Sequence, residues 1–176
     1  MDKSTHDELV AILKANHLFA DLDDIAIAEL ASKIWLETVP AGSKLVREGD
    51  PADSLYMVIQ GGINVQKANG QFLSYLGTGG FFGEMGLYST GLQRTADCVS
   101  AVDTTVAIIQ KKILMDFCDA NPSAGLRIYR AIATTLVERL QATSADLATL
   151  MGSQVKKQDD VAAMVERARK KKKKEK

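Results

Sequence analysis

Apolar positions recur every three to four residues towards both ends of the chain and every second residue in short runs through the middle, a pattern of helix, then strands, then helix. Thr5 and Glu8 stand three apart ahead of Leu9, Val10, Ile12 and Leu13, the spacing of a capping box that opens an amphipathic helix. A second helix is predicted from near Asp21. Ile25, Ile27, Leu30 and Ile34 are its expected core contacts, and Asp23 and Asp24 suit a first turn because carboxylates there face the positive end of the helix dipole. From Trp35 to Gln110 short apolar runs alternate with turn residues: Pro40-Ala41-Gly42, Glu48-Gly49-Asp50-Pro51, Gly61-Gly62, Asn69-Gly70, Gly77 to Gly80, and Asp103. Asn69-Gly70 predicts a type I′ hairpin, since both residues tolerate positive φ. About eight strands in roughly 75 residues fit a β jelly-roll barrel.

After Lys111 the pattern predicts a short helix to about Cys118 and then a long one launched by Asn121-Pro122, a cap followed by proline at the first helical position. Along it Tyr129, Ala133, Leu136, Leu140, Thr143, Leu147 and Leu150 follow alternating steps of four and three, the seam of a coiled coil. Ile128, Ile132 and Val137 form a separate face for the barrel. The seam predicts a parallel twofold homodimer through the helix 122–152; the competing reading is a helix lying only on its own barrel. The expected fold class is α+β: an eight-stranded β jelly-roll barrel flanked by N-terminal helices and a long C-terminal dimerisation helix.

At 176 residues one core is expected. The longest apolar runs, Leu9 to Leu13 and Leu55 to Ile59, are too short to cross a bilayer or to form a signal-peptide core, so the expected location is cytoplasmic. Cys98 and Cys118 have no metal-ligand spacing and read as reduced thiols, which excludes a cysteine-held iron–sulfur cluster; His6 and His17 precede the strands, which leaves haem unsupported and the expected cofactor none. Nor do the residues assemble a nucleophile, base and orienting group, so no enzyme is predicted. The net charge of zero conceals an asymmetry: residues 1–155 carry 12 Lys and Arg against 18 Asp and Glu, and residues 156–176 carry 10 against 4.

Within that acidic body one segment is built for an anion. FFGEMGLYSTGLQRTA, Phe81 to Ala96, sets Gly83, Glu84, Met85 and Gly86 ahead of Arg94 and Thr95. Backbone N–H groups at residues 83–86 suit a phosphate at the start of a short helical turn, and Arg94 offers a planar fork of donors to the same oxygens. Glu84 does not favour a phosphate, but beside one it suits sugar hydroxyls. Phosphate and ribose in one cradle mean a nucleotide, and one Arg without a Walker lysine suits a single phosphate of low charge.

The segment resembles the phosphate-binding cassette of the cyclic nucleotide-binding domain family. Arg47 to Val65, REGDPADSLYMVIQGGINV, resembles the family's turn-and-strand signature, while Leu73 to Leu76 and Leu140 to Ser144 resemble the corresponding stretches of bacterial cAMP receptor proteins. The likeness runs from about His17 to Leu150. It implies an N-terminal helix over 1–16, a cyclic nucleotide-binding domain over 17–152 and a basic, mobile tail over 153–176. It further implies phosphate contact by Arg94 and ribose contact by Glu84, although Glu84 also reads as an ordinary first-turn carboxylate that pairs with Arg94 when the site is empty. Ser74 falls at a base contact or is simply a strand serine. Thr143 and Ser144 fall where adenine's 6-amino group is met, one hydroxyl from each subunit, and Thr143 reads equally as a polar residue that sets seam register. Thr95 stands where cGMP-dependent kinases carry a threonine that favours guanine.

The function implied is a stand-alone cAMP receptor, a non-catalytic regulatory module that changes conformation and signals to another protein. The alternative is an interaction scaffold of the same fold with lost or altered ligand, cGMP or a cyclic dinucleotide. With no winged-helix segment after the long helix, specific DNA reading is not expected. Gln158 to Arg169 is compatible with a further helical stretch, and five consecutive lysines follow; weak, salt-sensitive contact with anionic lipid or nucleic acid is the functional reading of this run, and a solvated end the plain one.

Overall fold

A computed structural model describes residues 3–87 and 91–174, with side chains for 6–87, 91–149 and 151. Helices α1 (Lys3–Ala15) and α2 (Asp24–Ala31) precede eight strands, β1 (Trp35–Val39), β2 (Lys44–Val46), β3 (Ser54–Gln60), β4 (Gly62–Gln66), β5 (Phe72–Gly77), β6 (Phe81–Phe82), β7 (Asp97–Ser100) and β8 (Thr104–Gln110). A 3-10 turn (Glu84–Leu87) interrupts the strands, and α3 (Lys111–Ala120) and α4 (Pro122–Lys174) follow them. The strand region thus begins and ends at the expected Trp35 and Gln110.

The N-terminal boundaries differ from the sequence expectation in instructive ways. α1 already includes Thr5, so the Thr5–Glu8 spacing does not mark its start; the Thr5 side chain itself lies outside the described residues. In α2 the cap is Asp23, whose carboxylate accepts a hydrogen bond from the Ala26 N–H at 2.8 Å. Ala26, Ile27, Leu30 and Ala31 form the buried stripe, whereas Ile25 is 82% exposed, because the neighbouring alanine takes the inward position of that turn.

The strands form two antiparallel sheets of four, ordered β1-β8-β3-β6 and β2-β7-β4-β5. No ladder joins one sheet to the other among the described residues, so the expected closed barrel is instead a jelly-roll-like sandwich; β6, only two residues long, is too short to carry the first sheet round. Val46, Val58, Ile63, Phe82 and Cys98 form the interior, with Leu45, Tyr56, Val65 and Leu76 against them. The register Tyr56↔Ile108 and Val58↔Val106 puts Ile108 and Val106 on that same inner face. The alternate residues Leu55, Met57, Ala107 and Ile109 point the other way and are also buried. On that side the His17 ring, from the turn after α1, lies 5.5 Å from that of Phe81, the outward partner of Met57. Burial on both faces explains why β3 and β8 read as unbroken apolar runs.

The β4–β5 hairpin occurs where Asn69-Gly70 predicts one, but not as type I′. Gly70 alone takes positive φ, 86°, while Asn69 uses its side-chain oxygen to accept from Gln71 N at 3.0 Å. Gly70 N donates to Lys67 O at 2.8 Å, so a longer loop turns at Lys67 and closes on a left-handed glycine, with a register shift after Val65.

The chain divides into two compact units, one up to Ile132 and one from Ala133. In the first, the Asn121 carbonyl accepts the first bond of α4 from Gly125 N at 2.8 Å, and its side-chain amide donates to Glu29 and to Phe117 O, both at 3.2 Å. Ile128 and Ile132 are fully buried, and Cys98 and Cys118 are buried cysteines not joined in a disulfide. In the second unit Val137, expected on the barrel face, is instead 53% exposed. Leu140 and Leu147 of the seam are exposed, and the side chain of Leu150 lies outside the described residues. α4 continues through Lys174, past residue 152; side chains of 152–174, and Glu175 and Lys176 altogether, lie outside the described residues. Among the described residues no helix is long and apolar enough to cross a membrane.

One buried carboxylate ties β2 to β7. Asp97 accepts from the Glu48 N–H at 2.7 Å and pairs with the Lys44 ammonium, and these partners, Lys44 first, hold its carboxyl below the usual range. A carboxyl whose folded pKa is depressed contributes its stability fully above the ordinary, unfolded value and loses it as pH falls through the folded one. Stability is therefore expected to fall progressively below about pH 4. Asp97→Asn should flatten that acid limb while lowering stability at neutral pH, as read from urea midpoints across the pH series.

Candidate functional site

Phe81 and Phe82 leave the first sheet at Gly83, where φ is +87° and a left-handed backbone is needed. Space demands glycine as well: a Cβ there would lie 2.6 Å from both Arg94 Nη1 and Ser54 O. The 3-10 turn follows, with Gly86 N donating to Gly83 O at 3.2 Å. Gly86 is pressed against the loop before β3, since a Cβ would meet Ala52 Cβ at 2.5 Å. At the carbonyl end of the turn Lys111 Nζ donates to Gly86 O at 2.7 Å, where a cation suits the local dipole. The N–H groups of Glu84 and Met85, the first residues of the turn, lie at its opposite end, while that of Gly86 is used within the turn.

Arg94 reaches this turn from a second segment. Its N–H donates to Asp50 O at 2.8 Å and its carbonyl accepts from Gly49 N at 2.9 Å, while Pro51 and Gln93 form an isolated bridge alongside. The side chain is almost enclosed, with the residue only 7% exposed. Nη1 donates to Gly83 O at 3.4 Å, Nη2 lies 3.6 Å from Asp53 Oδ1, and Cζ sits 5.5 Å from the centroid of the Tyr56 ring. Tyr56 is in turn stacked on Phe82, with centroids 4.8 Å apart and planes within 5°. Burial raises the Tyr56 phenol above its usual pKa, and the Arg94 charge acts against that. Among the described residues the guanidinium is held by one long hydrogen bond, a ring face and a loose pair with a mostly exposed carboxylate. A buried cation whose described contacts are this weak favours an anion of matching geometry. Glu84, 4% exposed, stands at the head of the same turn and offers carboxylate acceptors there.

The structure therefore brings together Gly83, Glu84, Met85, Gly86, Arg94 and Thr95. The Thr95 hydroxyl reaches Met85 Sδ at 4.0 Å, a weak contact that joins the two segments. Ser74 lies opposite Val65, which lies opposite Cys98, so it shares the inward side of the second sheet three residues along from Thr95's strand entry. It is nonetheless exposed, as are Phe72, Leu73 and Tyr75 on the same edge strand. Thr143 and Ser144 belong to the second unit and are not among the residues the first unit assembles; both are exposed, and the Thr143 hydroxyl donates to Arg139 O at 2.9 Å within the helix.

Sequence reasoning missed the residues that hold this arrangement. Tyr56 reads as one more core residue in LYMVI; only its place under Arg94 shows otherwise. Lys67 Nζ donates to Glu48 Oε1 at 2.7 Å and to Thr95 O at 2.9 Å, and Glu48 Oε2 accepts from Ala68 N at 2.8 Å. The Lys67 hydrogen bond, then the Ala68 N–H, hold the Glu48 carboxyl below its ordinary pKa. A Glu and a Lys nineteen residues apart carry no sequence signal of this contact.

Comparison with known proteins agrees with the geometry. The cyclic nucleotide-binding domain model matches residues 36–121. A cAMP-activated global transcriptional regulator of Haemophilus influenzae is 34% identical over 119 residues, 65% of this chain and 51% of that protein. Glutaminase 2 of Bradyrhizobium diazoefficiens is 32% identical over 130 residues, 73% of this chain but 20% of the enzyme. The chain thus spans about half the length of the regulator and a fifth of the glutaminase. Among solved structures, the N-terminal domain of a transcriptional regulator from Streptomyces coelicolor superposes with a TM-score of 0.62 at 30% identity, covering 72% of this chain and 93% of that one. The family match opens one residue into β1 and closes at the joint between α3 and α4, taking in both sheets and the whole glycine turn: the chain belongs to the cyclic nucleotide-binding domain family.

Proposed function

We propose that this chain is a cAMP-responsive regulatory module, non-catalytic itself, that passes a ligand-dependent change to another protein. The observation that supports the reading most directly is Arg94, an enclosed guanidinium beside a glycine turn whose ion-pair partner among the described residues is a loose, mostly exposed carboxylate. In this reading Arg94 and the backbone of Gly83, Met85 and Gly86 take the cyclic phosphate, Glu84 accepts from the ribose hydroxyls, and Ser74 meets the base. Thr143 and Ser144 supply hydroxyls to adenine from paired copies of α4. A cyclic nucleotide carries one phosphate charge, which one Arg neutralises. The H. influenzae relative is described as cAMP-activated, in keeping with this ligand. Ligand acts by differential affinity, shifting the chain toward whichever arrangement binds more tightly.

A second ligand is favoured by one observation: Thr95 is exposed next to Arg94, and in that reading its hydroxyl accepts from the 2-amino group of a syn guanine. We therefore keep cGMP as the competitor. Calorimetric titration with cAMP, cGMP and a cyclic dinucleotide separates these readings from a scaffold that binds none. The expected result is cAMP tighter than cGMP by about ten- to a hundredfold, the span of one to two unmatched polar groups. Arg94→Leu should weaken binding at least about thirtyfold, because it strands a desolvated phosphate without its charge partner. Retention of affinity within about threefold in a cooperatively folding variant removes the phosphate assignment.

The seam supports a homodimer through the helix 122–152, since Leu140 and Leu147 leave apolar surface uncovered on α4. The lysine run adds, in this reading, a salt-sensitive attraction to anionic partners. Light scattering should give a dimer for the full chain, and Leu140→Asp with Leu147→Asp should give a monomer, because like charges would face each other across the seam. A wild-type monomer at high micromolar concentration excludes the seam.

A further inference from the structure

We infer that the Glu48–Lys67 pair is a positioning device for Thr95 that tunes which purine the site prefers; the inference rests on the cyclic-nucleotide reading above. Lys67 ends β4's extension into the hairpin, and its ammonium is shared between Glu48 Oε1 at 2.7 Å and Thr95 O at 2.9 Å. Glu48 is fixed at three points. Its other carboxylate oxygen accepts from Ala68 N at 2.8 Å, and its own N–H donates to the buried Asp97 at 2.7 Å. The result is a closed set of bonds joining the loop after β2, the β4–β5 hairpin and the segment that follows Arg94.

As an energy source this pair contributes little, since Lys67 is 40% and Glu48 28% exposed at the side chain and such pairs are well screened. What it supplies is direction. The Arg94 backbone is secured separately, its N–H to Asp50 O at 2.8 Å and its carbonyl from Gly49 N at 2.9 Å, so the phosphate end of the site does not need Lys67. Thr95 depends on it more. The Thr95 side chain is exposed and, among the described residues, its hydroxyl makes the weak 4.0 Å contact to Met85 Sδ, so the aim of that hydroxyl follows from how its own carbonyl is held. A hydroxyl at this point accepts from the guanine 2-amino group, which adenine lacks. Loosening Thr95 therefore removes affinity from cGMP and spares cAMP. Any long-range effect of the Lys67 charge on the phosphate falls on both nucleotides alike and cancels in the ratio.

The test measures cAMP and cGMP dissociation constants by calorimetry on the full chain as wild type, Lys67→Met, Lys67→Arg and Glu48→Gln, with thermal unfolding alongside. Lys67→Met is expected to shift the ratio toward cAMP by about fivefold, the worth of one ordinary hydrogen bond. Glu48→Gln should shift it the same way by less, and Lys67→Arg, which keeps a donor, should stay nearer wild type than Lys67→Met. A purely structural tie predicts a different outcome: lower thermal stability and equal loss for both nucleotides. That result, an unmoved ratio, a shift toward cGMP, or an arginine variant that behaves like the methionine one overturns the inference while leaving the ligand reading intact. Should Lys67→Met fail to unfold cooperatively, Glu48→Gln is judged by the same ratio. A wild type that binds neither nucleotide overturns the ligand reading and this inference together.

Discussion

The enclosed guanidinium of Arg94 is the constraint around which the site is organised. Taking a cation out of water costs several kcal/mol by order of magnitude, and a partner at 3.6 Å that is itself mostly in solvent recovers only part of that. The surrounding structure offsets the rest by approach. Gly83 lets the backbone come close enough to offer its carbonyl, Tyr56 presents a ring face, and Phe82 stacks behind Tyr56 to hold that face in place. Replacing either glycine of the turn with any larger residue would bring a Cβ to about 2.6 Å or less of Arg94, Ser54 or Ala52 atoms, so the turn and the arginine specify each other.

That local arrangement depends on the two-sheet architecture. Tyr56 and Phe82 are adjacent because β3 and β6 pair in register, and the central strands β3 and β8 of the first sheet are buried on both faces. The second sheet is different. Its edge strand β5 keeps Phe72, Leu73 and Tyr75 exposed, and Ser74, inward by register, is exposed with them.

α4 links the site's unit to a second one without a break in the helix. Its first turns are fastened by Asn121 to α2 and α3 and by Ile128 and Ile132 to the core, and farther along Leu140, Leu147 and Met151 are exposed. Lys111 holds Gly86 O of the glycine turn with its side chain while its N–H donates to Asp53 O.

What the sequence determined by itself was local and periodic. The eight strands, their limits at Trp35 and Gln110, the Asn121-Pro122 start of α4 and the glycine–arginine grouping of the site all follow from patterns spanning a few residues, because turn chemistry, helix entry and side-chain alternation are set by near neighbours. Ile25 shows the limit of periodicity: its apolar side chain suggests burial, but Ala26 occupies the inward position. Tertiary structure alone decided that the sheets remain open, that the hairpin turns through Gly70 without a left-handed Asn69, and that Val137 is left exposed. It also decided the supports of the site. Tyr56 under Arg94, Asp97 beneath Glu48 and Lys67 on the Thr95 carbonyl join residues 28 to 49 positions apart in the chain, and no local pattern records which surface charge meets which carbonyl once the strands have paired.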